Sequence, residues 1–202
     1  MANFTTESLA EYFNQRVTKF GPSTDALQWN STYSQDTRYH VLMNDLPAQV
    51  KFICDLGCGC GDLYHYIKKY NLDYDYVGLD ISANMIVAAQ QAYPAGDFRC
   101  LSFDQCVSVD KFDVVIASGV FNLKCDNHEQ YVLDTIETML AKARYQVRFN
   151  MLSDKTVRRV SDNKFVYVNV EQMQQQLNTI CECQVVEGYL PNDVMFICKL
   201  LY

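Results

Sequence analysis

The sequence predicts an α/β fold: a seven-stranded, mostly parallel sheet with an antiparallel last strand and an N-terminal helical cap. Strand and helix patterns alternate from residue 51 onward, as in folds with parallel sheets. A glycine-rich turn within residues 55–61 joins the first strand to its helix. The short turn Pro191-Asn192-Asp193 joins the last two strands, which therefore pair antiparallel.

Two helices form the predicted cap, residues 1–46. The first covers 6–17, its apolar face comprises Leu9, Tyr12, Phe13 and Val17, and Gly21-Pro22-Ser23 ends it. The second covers 34–45 and is followed by Pro47. Residues 47–202 form the predicted core, so that cap and core make one domain of 202 residues.

The core strands and helices follow in chain order. The predicted strands are 51–55, 75–79, 97–101, 112–117, 146–151, 182–187 and 194–200. The predicted helices are 62–70, 83–92, 128–142 and 170–179. The fourth strand is apolar apart from its second residue, as is typical of a parallel strand that is covered on both faces.

The turn after the first strand has the composition of a ligand loop. Gly57, Gly59 and Gly61 alternate in it, and glycine allows a close approach of the backbone to a ligand. The helix that follows adds free N–H groups at its N-terminus. Asp55 precedes these glycines; an acid here suits the ammonium of an amino-acid ligand better than the pyrophosphate of a dinucleotide.

A second acid lies at the end of the second strand. Asp80 follows Gly61 by nineteen residues, the place where a carboxylate binds a ribose diol in nucleotide-binding folds. Both carboxylate oxygens accept hydrogen bonds, so they match two hydroxyl donors. The alternative is that Asp80 merely ends the strand before Ser82 caps the next helix.

These motifs resemble those of the class I S-adenosylmethionine-dependent methyltransferases. The D-x-G-x-G-x-G loop is similar to their motif I, Asp80 to their second motif, and residues 111–123 to their fourth motif. Further stretches, near residue 25 and at 38–39, 117–122 and 149–153, resemble a group of small bacterial methyltransferases. The resemblance covers nearly the whole chain. It implies a Rossmann-like methyltransferase fold, S-adenosylmethionine as the cofactor and S-adenosylhomocysteine as the product.

The resemblance also implies a donor site. Its expected residues are Asp55, Gly57, Cys58, Gly59, Gly61, Asp80, Ile81, Met85, Ser102, Phe103, Ser118 and Arg38. Asp80 would bind the ribose, and Ile81 and Met85 would pack on the adenine. Ser102 stands where the family often has an acid, so backbone groups around it are expected to serve instead. Arg38 would pair with the donor carboxylate or form a surface salt bridge.

The sequence signals for the acceptor site are less specific than those for the donor site. Methyl transfer depends mainly on proximity and alignment, and a base is needed only when the acceptor arrives protonated. The candidate catalytic bases are His40, His128 and Tyr33, and the candidate substrate contacts are Trp29, Phe121, Asn122 and Asn150. Each histidine could equally be structural, and the aromatic residues could equally belong to the core. The fourth motif is not Asn/Asp-Pro-Pro-Tyr, which disfavours nucleobase amines and glutamine amides as acceptors.

Three functions remain open. The first hypothesis is a methyltransferase that acts on an oxygen or nitrogen atom of a small molecule. The second is a non-catalytic module that binds the donor and acts through a protein partner. The third is an NAD-linked oxidoreductase, against which Asp55 and the antiparallel last strand both argue.

Composition and charge narrow the range of partners and of cellular locations. The net charge of −7 argues against nucleic acid as a partner. No apolar run is long enough to cross a bilayer, and no signal peptide is visible, so a cytoplasmic location is expected. Nine cysteines without a C-x-x-C pair fit a reducing compartment and predict no metal site. The basic segment 155–159 is either a solvated loop or a contact for an anionic substrate. Monomer and dimer remain equally open.

Overall fold

The computed structural model describes residues 5–23, 25–27, 31–106, 111–155 and 164–200. The helices are α1 (Thr6–Phe20), α2 (Thr32–Met43), α3 (Asp62–Lys69), α4 (Ala83–Ala92), α5 (His128–Lys142) and α6 (Val170–Leu177). The strands are β1 (Phe52–Leu56), β2 (Asp75–Asp80), β3 (Asp97–Cys100), β4 (Phe112–Ser118), β5 (Ala143–Ser153), β6 (Tyr167–Val168), β7 (Glu182–Val186) and β8 (Asp193–Lys199).

One sheet organises the molecule, in the order β3-β2-β1-β4-β5-β8-β7, with β6 paired to β5. Strands β1 to β6 pair in parallel, and β8 runs antiparallel to both β5 and β7. The predicted α/β class, with a mostly parallel sheet and an antiparallel last strand, is therefore confirmed. The two-residue strand β6 was not predicted, because two residues carry no periodicity to read.

Helices cover both faces of the sheet. On one face, α5 and α6 bury residues such as Ile136, Met139 and Leu177 against the strands. On the other, α2, α3 and α4 bury residues such as Leu42 and Ile67. Strands that are covered on both faces are mostly apolar, which explains the apolar run 114–117 within β4. Within the described ranges, no helix is both long enough and apolar enough to span a bilayer.

A buried arginine fastens α2 to the sheet. The Arg148 guanidinium donates to the carbonyls of Leu42 (2.9 Å), Asn44 and Asp45 (3.0 Å), which lie at the C-terminal end of α2. These carbonyls have no partner within the helix, so the arginine satisfies them. Burial lowers the pKa of Arg148 to about 10.

The first helix is fastened to α4 by a polar cluster. Asn14 Oδ1 accepts from the Ser82 hydroxyl (2.8 Å) and from the Asn84 N–H (3.1 Å). Asn84 Nδ2 donates to the Asn14 carbonyl and to the Thr18 hydroxyl, both at 3.2 Å. Arg16 donates to the carbonyls of residues 25 and 26, which holds that turn against α1. The cap is thus attached directly beside the end of β2.

Candidate functional site

A cavity of about 310 Å³ opens where β1, β2 and β4 end. Parallel strands place their last residues at one edge of the sheet, where ligands bind in open α/β folds. Asp55, Asp80 and Ser118 line the cavity from those strand ends. Apolar side chains close much of the rest, including Leu9, Phe13, Leu27, Leu101, Val120, Leu123 and Phe165.

The glycine loop forms one wall of the cavity. The N–H groups of Gly57 (2.7 Å) and Cys58 (3.0 Å) donate to the Leu79 carbonyl, which holds the loop onto β2. Gly57 and Gly59 have φ angles of 73° and 55°. A Cβ atom at Gly59 would lie 2.8 Å from Leu27 Cδ2, and one at Gly57 would lie 2.5 Å from Val120 Cγ2. Conformation and space therefore both require glycine here.

Asp80 is buried and held by two backbone donors. Its Oδ2 accepts from the Gly59 N–H at 2.9 Å, and its Oδ1 accepts from the Ser82 N–H at 2.8 Å. Burial raises the pKa of the carboxyl, and these N–H groups oppose that effect. Each carboxylate oxygen can accept a second bond. The fixed carboxylate thus keeps acceptor capacity for a pair of ligand hydroxyls.

Asp55 is a buried carboxylate that accepts from a tyrosine hydroxyl. The Tyr76 hydroxyl donates to Oδ2 at 2.8 Å. No lysine, arginine or histidine of the described ranges forms an ion pair with it. Burial raises the pKa of Asp55 to about 7. A ligand ammonium at this carboxylate would supply the missing positive charge.

The end of β4 offers one further ligand group. Ser118 Oγ is buried and has no hydrogen-bond partner among the residues that the structure describes. Gly119 continues the lining, and its N–H donates to Asn150 Oδ1 at 3.0 Å. Asn122 also lines the cavity, and its Oδ1 accepts from the Leu152 N–H at 3.2 Å. A buried hydroxyl without a partner is the kind of group that a bound ligand satisfies.

Most of the predicted donor-site residues meet at this cavity. Those that line it are Asp55, Gly57, Cys58, Gly59, Asp80, Ile81, Met85, Ser102, Phe103 and Ser118. Gly61 instead precedes α3 in a left-handed conformation. Around Ser102 the N–H donates to Gln105 and the carbonyl accepts from it, so these backbone groups are already engaged. Asp104, two residues later, lines the cavity as well.

The three candidate bases lie outside the cavity lining. Tyr33 is 76% exposed on α2. His40, also on α2, has Nδ1 at 3.5 Å from the Tyr66 hydroxyl. His128 begins α5 with Nδ1 at 3.3 Å from Cys125 Sγ, and burial lowers its pKa. A general base must reach the proton it removes, so the geometry does not favour any of the three.

Two of the substrate candidates need correction. Phe121 does not wall the cavity: it is fully buried and packs edge-on against Phe149, at a centroid distance of 5.4 Å. Asn150 is buried too and reaches the cavity only through Gly119. Trp29 lies outside the described residues, and Asn122 is in the lining.

Arg38 lies in a buried ion pair. It is buried, and its Nη2 lies 2.6 Å from Oδ2 of the buried Asp193. A surface salt bridge is therefore wrong, and Arg38 is not among the residues that line the cavity. In the basic segment 155–159, Lys155 forms surface ion pairs with Glu171 and Glu187. Residues 156–159 lie outside the described ranges.

Sequence reasoning missed several lining residues. Leu9 and Phe13 belong to the apolar face predicted for α1, which could have been read as a cover for a site rather than as core. Leu27, Tyr39 and Phe165 come from distant segments, and only the tertiary fold brings them here. In the described part of the chain, no group of three or more potential metal ligands occurs.

Comparisons with known proteins agree with this geometry. Residues 54–144 match a family model described as "Methyltransferase domain". The chain is 30% identical over 109 residues to "Putative methyltransferase Rv1506c" of Mycobacterium tuberculosis (strain ATCC 25618 / H37Rv), a match that covers 50% of this chain and 63% of the relative. The chain spans less than two thirds of the length of the first relatives it matches, 36% and 63%.

Solved structures extend the likeness to the whole fold. Magnesium protoporphyrin IX methyltransferase (ChlM) from Synechocystis PCC 6803, with bound SAH, is 17% identical with a TM-score of 0.65, covering 98% of this chain and 100% of that one. A DhpI-SAM-HEP complex is 14% identical with a TM-score of 0.69, covering 98% and 99%. At such identities the likeness concerns the fold. Together with the matched segment and the glycine loop, it leads to one conclusion: the chain is similar to the class I S-adenosylmethionine-dependent methyltransferases in fold, and residues 54–144 match a methyltransferase domain.

Proposed function

We propose that this protein is an S-adenosylmethionine-dependent methyltransferase (EC 2.1.1.-) that acts on an oxygen or nitrogen atom of a small-molecule acceptor. One observation carries the proposal. Two buried carboxylates, Asp55 and Asp80, face a single cavity from the ends of neighbouring strands, with the glycine loop beside both. Asp55 suits an ammonium and Asp80 suits a ribose diol, and S-adenosylmethionine carries both groups.

The residues present fit the donor. Asp55 would bind the amino group, because no cationic side chain of the described ranges pairs with its buried carboxylate. Asp80 would accept from the ribose hydroxyls, and Ile81 and Met85 would pack against the adenine. The glycine cradle supports the same placement, since a Cβ at Gly59 would close it.

When bound, the donor would supply an electrophilic methyl group on a sulfonium centre. The chain's own contribution would be alignment and the exclusion of water. Leu9 and Phe13 of α1, with Leu27, cover the cavity from the cap side. Asn122 and Val120 line the side that follows β4, where we place the acceptor.

Lining chemistry supports a small, largely apolar acceptor. Leu123, Tyr131 and Phe165 contribute apolar surface. Among the described residues of the lining, the charged ones are all aspartates: Asp55, Asp80, Asp104 and Asp134. No basic lining residue for a phosphate backbone is found in those ranges, in line with the net charge of −7.

Calorimetric titration tests the proposal directly. The purified protein would be titrated with S-adenosylmethionine, S-adenosylhomocysteine and NADH, and then screened for turnover of labelled donor. We expect binding of both adenosyl ligands and none of NADH. Binding of NADH alone would contradict the proposal. Donor binding without turnover on any acceptor, together with a retained protein partner, would favour the non-catalytic module.

A further inference from the structure

A buried polar chain connects α2 to the wall of the cavity. It runs from Arg38 on α2 to Asp193 at the start of β8, then to Asn150 on β5, and ends at the Gly119 N–H after β4. All three side chains are buried. We call Arg38, Asp193 and Asn150 the Asp193 chain.

The two oxygens of Asp193 face different partners. Oδ2 accepts from Arg38, at 2.7 Å from Nε and 2.6 Å from Nη2. Oδ1 accepts from Asn150 Nδ2 at 2.9 Å and from the Tyr189 hydroxyl. Asn150 Oδ1 then accepts from the Gly119 N–H at 3.0 Å. Each link therefore joins a donor to an acceptor.

This order of donors and acceptors fixes the direction of the Asn150 amide. A carboxylate only accepts, so Asp193 must face the amide nitrogen, and the amide oxygen is left for Gly119. Burial raises the pKa of Asp193, and the Arg38 guanidinium is the largest influence that lowers it again. Arg38 thus helps to keep Asp193 in the form that only accepts.

Gly119 belongs to a segment whose position matters for the donor. Ser118, just before it, holds the buried hydroxyl that has no partner in the described part of the chain. Val120, just after it, packs so closely on the glycine loop that a Cβ at Gly57 would lie 2.5 Å from its Cγ2. A shift of Gly119 would therefore move both Ser118 and Val120 against the loop.

A gain in stability does not by itself explain why these buried polar side chains are present. Buried ion pairs often stabilise a fold no better than apolar residues of similar size, because desolvation offsets their attraction. We propose that Arg38, Asp193 and Asn150 are positioning residues that hold Gly119, and with it Ser118 and Val120, in the geometry that binds the donor. This inference rests on the proposed function.

The first test compares two asparagines with similar bonds. Asn150→Ala removes an acceptor from the Gly119 N–H, and Asn178→Ala removes one from the Cys183 N–H (2.9 Å), away from the cavity lining. Dissociation constants for S-adenosylhomocysteine would be measured by calorimetry, and melting temperatures by circular dichroism. We expect Asn150→Ala to weaken binding by about five-fold or more and Asn178→Ala to leave it unchanged. Unchanged binding by folded Asn150→Ala would overturn the inference.

The second test exchanges the two side chains. Asn150→Asp and Asp193→Asn, each alone, break the order of donors and acceptors, whereas the double exchange restores a carboxylate oxygen opposite Gly119 and an amide nitrogen opposite that carboxylate. We expect weaker ligand binding in both single variants and recovery in the double variant. If Asp193→Asn does not fold, the comparison of Asn150 with Asn178 still decides. Wild-type protein that binds no adenosyl ligand would refute the proposed function itself.

Discussion

The burial of Asp55 lowers the stability of the folded protein at neutral pH, and this loss can be measured. Its carboxyl has a pKa raised to about 7 by burial, against 3.8 for the same group in the unfolded chain. The folded protein therefore binds one more proton than the unfolded chain between these values, and its stability falls as the pH rises from 3.8 to about 7. The difference corresponds to about 4 kcal/mol, as an order of magnitude.

Replacing Asp55 by Asn should separate stability from binding. We expect Asp55→Asn to be more stable than wild type at pH 8, by an amount that shrinks toward pH 4, and to lose affinity for S-adenosylmethionine. Denaturant unfolding and calorimetry across this pH range would measure both effects. Asp73→Asn, at an exposed carboxylate, is the matched control and should change neither. A less stable Asp55→Asn protein at pH 8 would contradict this account.

The affinity of the wild-type protein should also depend on pH. A protonated Asp55 cannot pair with an ammonium, so binding of S-adenosylmethionine should weaken as the pH falls below about 7, the pKa of the free carboxyl. Titrations at several pH values would show this slope, and Asp55→Asn should lack it. A wild-type affinity that does not change with pH would place the ligand amino group elsewhere.

Glycine at position 59 permits another matched comparison. Gly59 and Gly188 both have positive φ, so alanine is strained at either position. Only at Gly59 would the new Cβ meet a neighbour, Leu27 Cδ2 at 2.8 Å, whereas nothing lies within 4 Å at Gly188. We expect Gly59→Ala to weaken S-adenosylhomocysteine binding by about ten-fold or more through blocked space, and Gly188→Ala to lower the melting temperature alone. Equal affinities in calorimetry would argue against the cradle.

At the scale of elements, α1 should control access to the cavity. Its Leu9 and Phe13 line the cavity, and Asn14 attaches it beside the Asp80–Ser82 turn. Asn14→Ala should therefore raise hydrogen exchange in α1 and weaken ligand binding a few-fold, since each lost bond contributes about 1 kcal/mol. Gln15→Ala, which loses only an exposed bond to Glu11 within the helix, is the control. Identical exchange in both variants would refute a role for this attachment.

Elements with local signals were predictable from the sequence. The glycine loop, Asp80 and the Ser82 cap all lie in two short segments, and their chemistry can be read there without the fold. The Asp193 chain could not be predicted in this way. Arg38 and Asp193 are separated by 155 positions, and only the insertion of β8 between β5 and β7 brings them together. Phe121 was misplaced for a similar reason, because the depth of a loop residue depends on what packs over it.

For the whole molecule, ligand binding should appear as thermal stabilisation. A ligand at one hundred times its dissociation constant adds about 2.7 kcal/mol to stability. For a chain of this size that amounts to a rise of about 5–10 °C in melting temperature. We expect such a rise with S-adenosylhomocysteine and none with NADH. A rise with NADH alone would contradict the assigned ligand class.

The position of β8 has a consequence for biosynthesis. A ribosome releases β5 and β7 before the strand that joins them, because β8 follows both in the chain and pairs with both. Its first residue, Asp193, accepts from the Asn150 amide, whose oxygen accepts from Gly119 in the cavity wall. The emerging polypeptide thus contains its glycine loop long before Asp193 can fix the segment around Gly119 that packs against this loop. We therefore expect the donor site to become able to bind its ligand only after β8 has emerged and completed the sheet.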